Sequence, residues 1–182
     1  MSRNRGFAAP EGEFDQLATS IDFSLPFVPE SLTQLYYTPA LARLSPAQRL
    51  RYNQLYAAHV NEQFIFFEHE IGNAIARALL RPGAVKQPSL RNRLQVMVDD
   101  EERHQCMFES INRRAIPELY ANGRHFFIRP SAIARFLLKT IVAHPKTLTF
   151  VIWLAFFLEE ASAEFSKAVI KSAQEGVVIE PN

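Results

Sequence analysis

The length, composition and charge of the chain set the first limits on what it is. It has 182 residues, of which 48% are hydrophobic, enough for one domain with a buried core. The formal net charge is +1 and there is no long run of Lys or Arg, so we expect no nucleic-acid partner. A single cysteine excludes a disulfide framework within the chain and indicates a reducing, cytoplasmic setting.

The N-terminal part of the sequence predicts an extended arm over residues 1–30. This segment contains Pro10, Pro26 and Pro29 and shows no sustained hydrophobic period. It also has no apolar stretch long enough for a secretory signal. Residues 31–182 are expected to form one helical domain, with short helical turns over residues 31–44.

Proline, serine and glycine punctuate the rest of the chain and predict four longer helices. These helices are expected over residues 46–80, 88–115, 131–143 and 146–174. The most apolar run, residues 148–158, is shorter than the ~20 residues that a bilayer requires, so we expect no membrane span. Because short loops join the helices, the predicted fold is all-α, an antiparallel bundle of the ferritin-like kind with an extended N-terminal arm.

A Glu-x-x-His motif lies on the core face of the second predicted helix. Glu101 and His104 belong to the run VDDEERHQCMF, whose other acids would face solvent. Steps of four and three residues place both on one helical stripe. The other members of this stripe are apolar, namely Leu90, Leu94, Met97, Phe108, Ile111 and Ala115. An i, i+3 spacing lets both side chains reach one metal ion.

Two further helices carry a carboxylate within an apolar stripe. On the first, Glu68 is the only charge on its stripe, and Glu62, on a more polar stripe, is the alternative. On the last helix a stripe of Trp153, Phe156, Glu160, Ala163, Lys167 and Ile170 selects Glu160. A shift of one residue would select Glu159 instead, because that helix is apolar nearly all round.

Carboxylates on facing apolar stripes need a partner, because an unpaired buried charge is costly. Divalent cations bound by Glu68, Glu101, Glu160 and the imidazole of His104 would neutralise them. The alternative is a buried salt-bridge network, for example between Glu101 and Arg103. The aromatic cluster Phe64, Phe66 and Phe67 would be core, or would wall a substrate pocket.

Three segments of the chain resemble the p-aminobenzoate N-oxygenase family of ferritin-like diiron oxygenases. They are LSPAQRLRYNQLYAAHVNEQFIFFEHEIGNAI, DDEERHQCMF and WLAFFLEEASAEF, and the resemblance runs from about Leu44 to the C-terminus. It implies iron ligation, with manganese as an alternative metal, by Glu68, Glu101, His104 and Glu160. It also implies a diiron oxygenase that uses O2 and an external electron donor to oxidise a small substrate, such as an arylamine.

The sequence departs from that family in its last ligands. The family continues into a helix with a His and a second Glu-x-x-His, whereas this sequence has no histidine after His144. Two alternatives follow: a fragment of a longer oxygenase, or a metal-poor ferritin-like module with an interaction or structural role. An apolar groove left by the missing helix would favour a homodimer.

Overall fold

The chain folds into packed helices. The structure, a computed structural model, describes residues 21–143 and 145–180, and the side chains of these residues outside 142–148. The described part contains no strand, which confirms the all-α class. Its helices are α1 (Pro39–Ala42), α2 (Pro46–Phe67), α3 (Asn73–Leu79), α4 (Pro88–Ala115), α5 (Pro117–Tyr120), α6 (Ala132–Ala143) and α7 (Pro145–Gln174), with 3₁₀ turns at Glu30–Leu32 and Gln34–Tyr37.

The segment before the helices lies against α2. Asn53 on α2 accepts hydrogen bonds at Oδ1 from the backbone N–H groups of Phe27, at 2.8 Å, and Val28, at 3.1 Å. Its Nδ2 donates to the Val28 carbonyl at 2.7 Å. A single buried amide thus satisfies three backbone groups of the non-helical segment. The first twenty residues of the predicted arm lie outside the described residues.

The predicted helix over residues 46–80 is present, but a π turn interrupts it. Ser45 and Gln48 form a capping box at its start, with Pro46 in the first helical position. Glu68–Gly72 is π-helical, and the N–H of Asn73 donates to the carbonyl of Glu68, five residues back. The helix then continues as α3. Single π turns of this kind occur often at functional sites.

The second predicted helix, over residues 88–115, matches α4, Pro88–Ala115. Its C-terminal end packs on α2 and α5 in a core cluster that contains Ala58, Ala115, Ile116 and Tyr120. Ile116 is fully buried. This cluster fixes α4 against α2 at one end and leaves the middle of α4, with Glu101, opposite the π turn.

The last two helices pack on α3 through a second core cluster. Ile75 and Val151 are buried there, with Leu138 and Ala155 among the side chains around them. At its end, α7 closes with Gly176 at φ 88°, and the N–H of Val177 donates to the carbonyl of Ser172. This is a Schellman cap, at the position where the sequence predicts the helix to stop.

The face of α7 predicted to point inward points outward. Trp153 is 71% exposed, and Phe156, Glu160, Lys167 and Ile170 are also exposed. Val151 and Ala155 lie on the packed side instead. The prediction was wrong because aromatic side chains surround this part of α7, so that hydrophobic periodicity cannot select one face.

Within the described residues, none of the helices combines the length and apolar character needed to cross a bilayer.

Candidate metal centre

Three potential metal ligands converge where the π turn faces the middle of α4. One donor atom each from Glu68, Glu101 and His104 lie within 4.8 Å of one another. The Nδ1 of His104 is 4.0 Å from Oε2 of Glu101, one helical turn away on α4. Glu68 comes from the π turn itself. The structure therefore brings together three of the four ligands proposed from the sequence.

The acidic run on α4 divides between this cluster and the surface. The side chain of Glu101 is 14% exposed, against 41% for Asp100 and 31% for Glu102. Arg103 pairs with Asp100, and Arg77 of α3 pairs with Glu102. Both arginines are therefore engaged by the neighbours of Glu101, which gives no support to a buried pair between Glu101 and Arg103.

His104 lies at the rim of the cluster, with 56% of its side chain exposed. The sequence places it on the core stripe of α4, yet that stripe is not covered along its whole length. Met97, one of its apolar members, is 44% exposed. An imidazole at the rim reaches the carboxylates from the solvent side.

The fourth carboxylate near the cluster comes from Glu159. It lines the same cavity as Glu68 and Glu101, and its charge raises the pKa of both. Glu160 is exposed on the outer side of α7, where its charge acts on Lys167. The structure thus places Glu159, the alternative left open by the sequence, beside the cluster rather than Glu160.

Burial and the charges of neighbouring carboxylates make Glu68 and Glu101 hard to ionise. The pKa of Glu68 rises to about 8, first because the group is buried, then because Glu101 and Glu159 face it. Burial also raises the pKa of Glu101, the Glu159 carboxylate adds to the rise, and His104 opposes it. Grouped carboxyls with raised pKa values are characteristic of functional sites.

The residues present fit one divalent cation. The Oε2 atom of Glu68 is buried and has no hydrogen-bond partner. Two atoms bound to one ion at ~2.1 Å can lie at most ~4.2 Å apart, so the 4.8 Å cluster must contract slightly, which side-chain rotation allows. Among the described residues no second histidine joins the cluster, so a second iron would lack a nitrogen ligand.

Glu62, the other alternative considered from the sequence, has a different role. It is fully buried. Oε1 accepts from the Tyr120 hydroxyl at 2.8 Å and the Phe126 N–H at 2.7 Å. Oε2 accepts at 2.9 Å from the N–H groups of both Phe127 and Ile128. Glu62 thus anchors the loop over residues 121–131 and is not among the convergent ligands.

A cavity of about 290 Å³ adjoins the carboxylates. It lies among the π turn, α3, α4 and α7. Its side-chain lining is otherwise apolar: Phe67, Ile75, Ala76, Leu79, Leu94, Met97, Ile152, Ala155 and Phe156. An apolar cavity with a few convergent polar groups is the usual form of a small-molecule site.

Sequence reasoning missed two parts of this region: the π turn and the anchoring role of Glu62. Neither has a local sequence signature. A helix that breaks register is decided by tertiary packing, and the donors to Glu62 lie about 60 residues further along the chain. Comparisons of the chain with family models, curated proteins and solved structures give no match.

Proposed function

We propose that the chain is a ferritin-like, iron-dependent oxidoreductase, an oxygenase of the non-haem diiron type or a part of one. The observation that supports this most is the convergence of Glu68, Glu101 and His104 beside an apolar cavity. Bound iron would supply the activation of O2 that oxidises the substrate, with an external donor providing the further electrons that O2 takes up. The proposed setting is cytoplasmic, without nucleic acid.

The residues of the chain have distinct parts in this proposal. Glu68 and Glu101 would hold the cation through carboxylate oxygens, His104 through a neutral ring nitrogen, and Glu159 would complete the acidic set. Since carboxylates bind metal only when ionised, binding must release the protons that their raised pKa values favour. The apolar walls, such as Ile75 and Leu94, would keep water from the substrate.

Metal titration of the purified, metal-free protein tests the site. Under anaerobic conditions, Fe(II) should bind, and Glu101→Gln and His104→Ala should each weaken binding at least ~100-fold, since even changes behind a ligand cost 10–100-fold. Isothermal titration calorimetry measures the affinity, and circular dichroism checks that each variant is folded. Wild-type affinity in both variants would sink the assignment.

Two adjacent acids on α7 offer a matched pair for the same titration. Glu159→Gln should weaken Fe(II) binding about 10-fold, because its charge acts on Glu68 and Glu101. Glu160→Gln removes the same charge one residue away, where the carboxylate acts on Lys167 rather than on the cluster, and should leave the affinity unchanged. The reverse order of effects would restore Glu160 as the ligand.

The outer sides of α6 and α7 favour a homodimer, which we include in the proposal. Trp153 and Phe150 are each 71% exposed, Phe157 70%, Phe136 68% and Phe156 67%. At ~200 Å² for each side chain, these five leave about 700 Å² of aromatic surface open. That approaches the ~800 Å² that each partner buries in a standard interface and exceeds the usual largest apolar patch of a monomer.

Sedimentation velocity at ~50 µM tests the dimer. The wild-type chain should sediment with the mass of two chains, and a Trp153→Glu, Phe157→Glu double variant with the mass of one, because buried carboxylates oppose association. Tyr37→Glu, at a residue 79% exposed and remote in sequence from α6 and α7, is the control and should stay dimeric. A monomeric wild type, or an unchanged double variant, would contradict the proposal.

The second candidate function is a metal-poor helical module that binds another protein. The same exposed aromatic surface favours it, since large apolar patches mark interaction sites. The two functions differ in the Fe(II) titration. A folded protein that binds no divalent cation would support the module and overturn the oxygenase.

A further inference from the structure

The composition of the cavity beside the carboxylates restricts what it can bind. Three helices supply much of its apolar wall, with Ile75 and Leu79 from α3, Leu94 and Met97 from α4, and Ala155 from α7. Such side chains have well-defined shapes and offer no hydrogen bonds. A ligand here would be held mainly by apolar contact.

The size of the cavity sets the size of the ligand. An apolar cavity of about 150 Å³ holds a molecule as large as benzene. The volume here is about 290 Å³, roughly twice that. One substituted aromatic ring, or an alkyl chain of similar volume, would fill it.

The charges around the cavity set the chemistry of the ligand. Its ionisable lining groups within the described residues are all acidic: Glu68, Glu101 and Glu159. No Lys, Arg or hydroxyl side chain lines it in the described part of the chain, and the nearby Arg77 is paired with Glu102. In the metal-free protein a ligand carboxylate would therefore be desolvated here, and no cationic or hydroxyl side chain of the lining would bind it.

We propose that this cavity binds an uncharged, hydrocarbon-like small molecule and rejects the carboxylate analogue of that molecule. As the substrate of the proposed oxygenase, a role that rests on the proposed function, such a molecule would present a carbon or a neutral nitrogen beside Glu68 and Glu101.

Binding of two matched probes to the metal-free protein tests the proposal. Ethylbenzene and phenylacetate each carry one ring and two further carbons, and differ in the carboxylate. Ethylbenzene should bind with a dissociation constant in the micromolar to submillimolar range, and phenylacetate at least ~10-fold more weakly, when measured by ligand-observed NMR. Equal or tighter binding of phenylacetate would overturn the proposal.

Filling the cavity should remove ethylbenzene binding. Ala155→Leu adds three carbons to the wall. Met97→Trp replaces a thioether chain with a larger indole ring, at a position that is 44% exposed and so tolerant of a larger side chain. Each should weaken ethylbenzene binding at least 10-fold, whereas Ala173→Leu, at an exposed residue of α7, should leave it unchanged. Unchanged binding in both cavity variants, with folding verified by circular dichroism, would place the probe elsewhere and overturn the proposal.

The probe experiment and the metal titration fail independently. Ethylbenzene binding is measured without metal, so a failure of Fe(II) to bind would leave the result for the cavity unchanged. Conversely, Fe(II) binding requires no ligand in the cavity. A protein that binds Fe(II) but not ethylbenzene would retain the proposed function and lose only the substrate class.

Discussion

Replacing Glu62 with alanine should lower the free energy of unfolding by about 3–5 kcal/mol. Both carboxylate oxygens are buried and accept from the Tyr120 hydroxyl and from the successive N–H groups of Phe126, Phe127 and Ile128. Alanine would leave these donors without an acceptor, and each unsatisfied buried donor costs ~1–3 kcal/mol. Since a domain has only ~5–15 kcal/mol of stability, much of it would be lost. Urea denaturation followed by circular dichroism measures the change.

Two milder variants separate the carboxylate from its partners. Glu62→Gln keeps one acceptor oxygen but turns an NH2 group towards backbone donors. Its free energy of unfolding should therefore lie between those of the alanine variant and the wild type. Tyr120→Phe removes one donor and the weaker contact from Asn112, and should cost ~1 kcal/mol. If Glu62→Ala were no more destabilising than Tyr120→Phe, the backbone donors would not depend on Glu62.

The metal-free protein should lose stability as the pH rises from about 4.5 to 8, with Glu68 as a main cause. The pKa of Glu68 is about 8 in the folded chain, against 4.5 for the unperturbed group. Between these values the folded state holds a proton that the unfolded state has released, so unfolding becomes more favourable with each step in pH. The contribution of Glu68 to the free energy of unfolding is fully present below pH 4.5, and its loss is complete above pH 8.

Glu68→Gln isolates this contribution. The neutral amide should raise the free energy of unfolding at pH 8.5 by on the order of 2 kcal/mol, well below the full conversion of the pKa shift, because solvent screens a partly exposed group. The gain should vanish well below pH 4.5, where Glu68 is protonated in both states. Urea denaturation across this pH range measures the difference, with Glu160→Gln as the surface control. A gain that is independent of pH would contradict the assignment.

The same exchange should have the opposite effect when metal is present. At 100 times its dissociation constant, Fe(II) should stabilise the wild type by ~2.7 kcal/mol. Glu68→Gln should gain little, because it lacks one ligand oxygen. Glu68 would thus destabilise the metal-free protein and stabilise the Fe(II)-bound protein. Such opposite effects are expected where function opposes stability.

The sequence was most informative where local chemistry decides the outcome. Pro88 and the apolar stripe of α4 predicted that helix with its ends, and placed Glu101 towards the core. The capping residue Ser45 and the positive φ of Gly176 likewise depend on nearest neighbours alone. Such features need no knowledge of the remaining fold.

The sequence was least informative where partners come from distant parts of the chain. The side of α7 that packs is determined by its contacts with Ile75 and Leu138. Since α7 carries Trp153 on one side and Val151 on the other, its own sequence does not indicate which side is buried. The sequence offered Glu62 as an alternative to Glu68 and gave no sign of its anchoring role, because its donors lie on a loop with no regular structure. Tertiary context decided both.

The π turn shifts the register between α2 and α3, which follow one another along the same axis. Each residue of an α-helix turns the face by ~100°, so the additional residue held in Glu68–Gly72 offsets the face of α3 from that of α2 by about that angle. Glu62 contacts the 121–131 loop, and Ile75, further along the same axis, packs towards α7. Removing one residue from Glu68–Gly72 would rephase the two halves, so the register of this helix is as much a determinant of the site as the identity of its ligands.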